Sequence, residues 1–78
     1  MSVRAKFYVN TLTKQKMGQQ SEICTVIKLS PVMSGSEENK TFYQYSPYGT
    51  IELGTVSPEA ASQFEIGKEY YIDFTQTA

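Results

Sequence analysis

From Val3 the chain alternates, with Val3, Ala5, Phe7 and Val9 on one face and Arg4, Lys6, Tyr8 and Asn10 on the other, the two-residue period of a half-buried strand. The polar, Gly-containing run from Lys14 to Gln20 predicts a connection, and β pattern resumes at Ser21. In this second strand Ile23, Thr25, Ile27 and Leu29 share one face, and Glu22, Cys24, Val26 and Lys28 the other. Pro31 cannot donate to a ladder and is expected to close it. Ser34-Gly35-Ser36-Glu37-Glu38-Asn39-Lys40 reads as a loop entering a helical turn, a Ser cap followed by carboxylates. The cap carries Thr41 to Tyr45 as helix despite their good β propensity. Ser46-Pro47-Tyr48-Gly49 is a turn. Thr50 to Val56 predicts a third strand, with Ile51, Leu53 and Thr55 on one face.

Ser57-Pro58-Glu59 is a helix start: Ser caps, Pro suits the first helical position and Glu complements the dipole. The helix is expected to run to about Phe64 with Ala60, Ala61 and Phe64 inward. Glu65-Ile66-Gly67-Lys68 reads as a tight turn needing positive φ at Gly67. Glu69 to Thr75 is the last strand, with Tyr70, Ile72 and Phe74 on one face and Tyr71, Asp73 and Thr75 on the other. The order β-β-(α)-β-α-β predicts a mainly β (α+β) fold, a small curled antiparallel sheet or barrel, in one domain over residues 1–78.

Composition narrows the chemistry. The 78 residues include six Tyr and four Phe but no Trp and no His, which removes His-based nucleophile pairs, His-containing zinc sites and a proton shuttle near neutral pH. Phe7, Phe42, Phe64 and Phe74 are expected in the core. Cys24 is the single cysteine, read as a small strand residue in a reducing compartment. No apolar run is long enough for a signal peptide or membrane span, so a soluble cytoplasmic protein is expected.

The net charge of −1 conceals a dipole along the chain. Arg4, Lys6, Lys14, Lys16 and Lys28 against Glu22 give residues 1–28 a charge of +4. Lys40 and Lys68 against Glu37, Glu38, Glu52, Glu59, Glu65, Glu69 and Asp73 give residues 29–78 a charge of −5. Such asymmetry suits an anion-binding face or head-to-tail self-association.

Several stretches resemble small bacteriophage accessory proteins: Lys6-Phe7-Tyr8-Val9-Asn10, Leu29-Ser30-Pro31-Val32 with residues 34–40, Gly49-Thr50-Ile51-Glu52-Leu53-Gly54-Thr55, and Phe64-Glu65 with residues 67–75. The resemblance covers nearly the whole chain and implies a viral protein made inside a bacterium. It brings no catalytic or binding residues with it.

The candidate site is the outward face of the first hairpin. Pairing residues 1–12 with 21–30 would set Arg4 near Lys28, with Lys6 and Tyr8 alongside Val26 and Cys24, a repulsion that a bound phosphate would relieve. The competing reading is a solvated face with flexible cations. Tyr8, Tyr45, Tyr48 and Tyr71 are the aromatic candidates for stacking on a base or filling an interface. Glu37-Glu38 is explained by the helix dipole rather than by a metal, and Ser34-Gly35-Ser36 is too Gly-poor for a nucleotide-hydrolysing loop. Neither catalysis nor a cofactor is expected. Two roles remain: binding a nucleotide-like ligand (sequestering a host nucleotide signal) or short single-stranded nucleic acid, or gripping protein as a homo-oligomer or on a host protein.

Overall fold

In a computed structural model, which describes residues 2–16 and 23–77, strand β1 runs from Ser2 to Lys16. It passes through the expected start of the connection at Lys14, so the hairpin arm is longer than the polarity of Lys14, Gln15 and Lys16 suggests. Polar residues are tolerated there because they pair with a partner strand on one side only. The rest of the expected connection, residues 17–20, and the restart at Ser21 lie outside the described residues.

The remaining elements follow in the expected order: β2 (Ile23–Pro31), α1 (Glu37–Tyr43), β3 (Ile51–Thr55), α2 (Pro58–Ala61) and β4 (Glu69–Thr75). Together the four strands make one curled antiparallel half-barrel sheet, ordered β3-β2-β1-β4. Ser36 caps α1 by accepting from the Asn39 amide at 3.2 Å, and Ser57 caps α2 by accepting from the Ala60 amide at 3.1 Å. Helix α2 stops at Ala61 rather than near Phe64, giving way to turns in which the Gln63 amide donates to the Ala60 carbonyl and the Phe64 amide to that of Ala61. The turn before β4 has Gly67 at φ 88°, a conformation that favours glycine.

Strand β1 changes partners along its length. Ser2 to Tyr8 pair with β4, whereas Phe7 to Lys16 pair with β2. Between Val9 and Thr11 the register with β2 shifts, so Asn10 is the extra residue of a bulge, and its side-chain amide donates to the Ser30 hydroxyl at 3.2 Å. The extra residue inverts the face parity. Beyond it Leu12, opposite Ile27, joins the inner face set earlier by Val3, Ala5, Phe7 and Val9.

Ala5, Phe7, Val9, Ile27 and Leu29 form the buried core, with Leu12, Ile51, Phe64, Tyr70 and Ile72 packed around it. The segment after α2 covers the core. Phe64 lies against Tyr70 with ring centroids 5.4 Å apart, and the Tyr70 hydroxyl donates to the Gln63 carbonyl and accepts from the Glu65 amide. Two of the four phenylalanines expected in the core are not in it. Phe42 and Phe74 are 46% and 50% exposed and stack on one another at 6.4 Å, beyond the reach of the covering segment. Cys24 is a buried strand residue, as its type suggested. A Cβ on Gly54 would come within 3.2 Å of its sulfur, so the glycine leaves room for the thiol.

Candidate functional site

The outer face of the sheet carries Arg4, Lys6, Tyr8, Lys28 and Tyr71 of the residues singled out from sequence, in an arrangement set by strand order. Cations stand on the two central strands and carboxylates on the two edges. Arg4 on β1 makes a forked contact with Asp73 on β4, Nε to Oδ1 at 2.6 Å and Nη2 to Oδ2 at 3.1 Å. Lys6 Nζ lies 3.8 Å from Glu69 and Lys28 Nζ 3.9 Å from Glu52 on β3. The charge dipole along the chain is therefore folded back on itself, basic β1 and β2 each lying against an acidic edge strand.

This register corrects the expected juxtaposition of Arg4 with Lys28. Arg4 is opposite Asp73, while Lys28 is opposite Thr11 and Glu52. Lys6 is opposite Tyr71 and Tyr8 opposite Ser30 and Glu69, whereas Val26 and Cys24 lie beside Thr13 and Gln15. The physical reason is the extension of β1 to Lys16, which slides the hairpin so that the first five residues of β1 have β4, not β2, as their strand partner. The like-charge pair that a phosphate would relieve does not form.

What does form is a cation–aromatic stack around Tyr71. Arg4 Cζ lies 4.6 Å and Lys6 Nζ 5.3 Å from the ring centroid, both within the range of cation–π attraction. The Tyr71 hydroxyl donates to Glu38 Oε2 at 3.5 Å, linking the stack to α1. The hydrogen bond from Arg4 holds Asp73 below its ordinary carboxylate range, and Asp73 in turn raises Arg4. Glu38 is lowered by its own backbone amide and by the Ser36 hydroxyl, with Lys6 adding attraction.

Tyr8 and Tyr48 meet elsewhere, lining a cleft of about 380 Å³ with Pro31, Met33 and Pro47. Tyr48 is 89% exposed. Tyr45 lines an adjoining hollow of about 230 Å³ that shares Met33 and Pro47. Its position is set by a tight γ-turn that ends α1: Gln44 has φ 67° and ψ −42°, and the Tyr45 amide donates to the Tyr43 carbonyl at 2.7 Å. That conformation is strained for a residue with a Cβ. Tyr43 is raised by burial and sits edge-on to Phe42 at 4.9 Å. The structure thus divides the candidates into Arg4, Lys6 and Tyr71 together, Tyr8, Tyr48 and Tyr45 along one flank, and Lys28 apart.

Two features carried no sequence signal. Asn39, buried in the first turn of α1, accepts from the Lys6 amide at 2.6 Å and donates to the Lys6 and Val32 carbonyls at 2.8 and 2.9 Å. It gives the Lys6 amide an acceptor where β2 ends, and shares the Lys6 carbonyl with the Val32 amide, which donates to it at 3.1 Å. The second is a groove of about 580 Å³ on the inner face of the hairpin arm, lined by Leu12, Lys14, Ile23, Val56, Pro58 and Ala61 among others. Lys14 belongs to that face because of the bulge at Asn10.

Among the described residues no three His, Cys, Asp or Glu side chains gather as metal ligands, and no helix is long and apolar enough to cross a membrane. The arrangement offers paired charges, aromatic rings and apolar hollows, the materials of recognition. No family model matches the chain, and no curated protein or solved structure matches it.

Proposed function

We propose that this chain is a non-enzymatic binding module that works by protein contact, assembling with copies of itself. One observation carries the reading: the chain has more surface than a free domain of its mass. Its accessible area is 6055 Å² at 8.8 kDa, where the scaling for folded monomers gives about 4,800 Å². The excess exceeds the roughly 800 Å² that each partner buries in a standard interface. The shape agrees: a radius of gyration of 14.5 Å against about 11.5 Å for a compact chain of this length, and a thickness of only 18 Å. Large apolar groups remain at the surface, among them Phe42, Phe74, Ile23, Val56 and Ile66, and a second protein would cover them. The resemblance to phage accessory proteins supports placing this assembly in the cytoplasm of an infected bacterium, with a host protein as a further partner.

Native mass spectrometry together with light scattering tests the reading. An assembly larger than one chain at micromolar concentration is expected; a monomer with no retained partner at every concentration overturns it. A second reading, a nucleotide-like ligand or short single strand, is favoured by one arrangement only, the shared cleft of Tyr8 and Tyr48. Pairing of Arg4, Lys6 and Lys28 with carboxylates weighs against them as free phosphate ligands. A base stacked there would quench tyrosine fluorescence and add its mass to the native ion, and Tyr48→Ala would abolish both.

A further inference from the structure

We infer that the hairpin arm is a docking edge for an extended acidic segment of another protein, which adds to the sheet as a further strand beside β1. The starting point is backbone chemistry and does not involve self-assembly. Ser2 to Tyr8 of β1 pair with β4, and the Val9 amide and carbonyl are taken by the Lys68 carbonyl and the Gly67 amide. From Thr11 to Lys16 the strand pairs with β2 alone, and among the described residues no loop or helix backbone bonds to that stretch. Every residue of it except Leu12 is exposed. Alternate residues of a strand turn their N–H and C=O groups to one side, so the arm presents a row of unpaired donors and acceptors about 20 Å long. An extended chain satisfies such a row by continuing the ladder.

Charge distinguishes this edge from the outer edges of β3 and β4 and names its occupant. On β3 Glu52 is matched by Lys28, and on β4 Glu69 and Asp73 are matched by Lys6 and Arg4. The charged residues of the arm are Lys14 and Lys16, and among the described residues neither has a carboxylate within 4.0 Å. The turn at the near end of the slot adds Lys68 and Glu65, which balance one another in sign. Lysine on a free edge discourages pairing with a like edge. Two arms laid together would gather Lys14 and Lys16 of both copies with no counter-charge. The same two lysines favour a strand that carries carboxylates.

The register of β1 fixes the pattern that fits. Leu12, Lys14 and Lys16 stand opposite Ile27, Thr25 and Ile23 and share the inner face by alternation. Side chains directly opposite on adjacent strands have Cβ atoms about 5 Å apart, where unlike charges attract. An antiparallel partner, the more stable pairing per residue, therefore sets one carboxylate against Lys16, a second against Lys14 and an apolar side chain against Leu12. Read along the partner, the order is acidic, any, acidic, any, apolar. Backbone bonds to the arm supply affinity, and the alternate side chains supply selectivity.

The probe is a capped peptide, Thr-Glu-Thr-Glu-Thr-Val-Thr, titrated into the isotope-labelled chain at a concentration where light scattering shows single chains. Saturable binding at or below millimolar peptide is expected, with hydrogen exchange slowed at alternate amides between Thr11 and Lys16. Lys14→Glu together with Lys16→Glu should weaken binding roughly tenfold, and a peptide with Lys in place of Glu should regain it on that variant. N-methylation of the peptide amides that face the arm should abolish binding, because it removes the ladder and leaves the charges. No binding at millimolar peptide overturns the inference, as does binding that survives N-methylation or ignores the charge reversal. Should the double variant lose its circular dichroism signal, Lys14→Gln with Lys16→Gln repeats the comparison and should still weaken binding. Failure here leaves self-assembly standing, and a chain that never self-assembles leaves this edge standing, because the peptide is read on the single chain.

Discussion

The two halves of β1 are treated differently by the rest of the chain. Residues 2–9 have β4 on one side, and on the other β2 followed by the Asn39 side chain, which takes up the backbone groups of Lys6. Residues 11–16 have β2 alone. In the first half the inner face is fully buried at Ala5, Phe7 and Val9; in the second, Leu12 is half-buried and the hairpin partner Ile23 is 50% exposed. The difference teaches where stability resides. One end of the strand is flanked on both sides by its own chain and holds the fold, and the other is covered on one side only.

Core truncation should break the symmetry most. Leu29, fully buried between the central strands, should lose about 3 kcal/mol on replacement by Ala, the usual cost of a large-to-small change with a residual cavity. Leu12→Ala, on the half-covered arm, should cost about 1 kcal/mol, and Ile23→Ser should stay within about 0.5 kcal/mol. Urea unfolding of the three variants at a concentration that keeps the chain monomeric measures all of them. Equal losses at Leu29 and Ile23 would erase the distinction between the halves.

Asn39→Ala should come next, at about 2 kcal/mol, because the Lys6 amide and the Val32 carbonyl would be left without the Asn39 side chain in a part-buried place. Asn39→Asp keeps the shape but turns a donor into an acceptor facing two carbonyls, so it should cost at least as much at neutral pH and recover partly on acidification. A loss under about 0.5 kcal/mol for both would mean that water serves the end of β1 as well as Asn39 does. A smaller effect of opposite sign is expected at the γ-turn. Gln44→Gly should gain about 1 kcal/mol by removing a Cβ from a positive-φ conformation. A loss instead would mean that the Gln44 side chain makes contacts that outweigh its strain.

Much of this was legible in the residues. Alternation gave all four strands with their faces, and the Ser36 and Ser57 caps gave both helices, because periodicity and capping are local. Register was not legible: the extra residue at Asn10 and the continuation of β1 to Lys16 depend on pairing with distant segments. One residue inserted there moved Lys14 onto the inner face, and the longer hairpin arm separated Lys28 from Arg4. Asn39 was silent for the same reason, its Lys6 contacts lying 33 residues away. Phe42 and Phe74 were assigned to the core by residue type, but a chain this small covers only part of one sheet face.

The smallest effect expected is that of pH, and it falls on one half alone. Asp73 and Glu38, both at the near end, have folded values lowered, Asp73 chiefly by the Arg4 hydrogen bond and Glu38 by its own backbone amide and Ser36. A carboxylate lowered on folding stabilises the folded state above its unfolded value, and that contribution disappears as pH falls through the folded value. Acidification below about pH 4, the ordinary carboxylate range, should therefore loosen the start of β1 and the end of β4 first. Amide hydrogen exchange should show protection lost at Val3 to Ala5 and Ile72 to Phe74 while Leu12 and Ile27 on the arm are unaffected. Because both carboxylates are exposed, added salt should reduce the effect, and Asp73→Asn should flatten the dependence at its own strand pair. Acid-induced exchange that begins on the arm instead would place the weaker half of β1 at the opposite end from the one these charges hold.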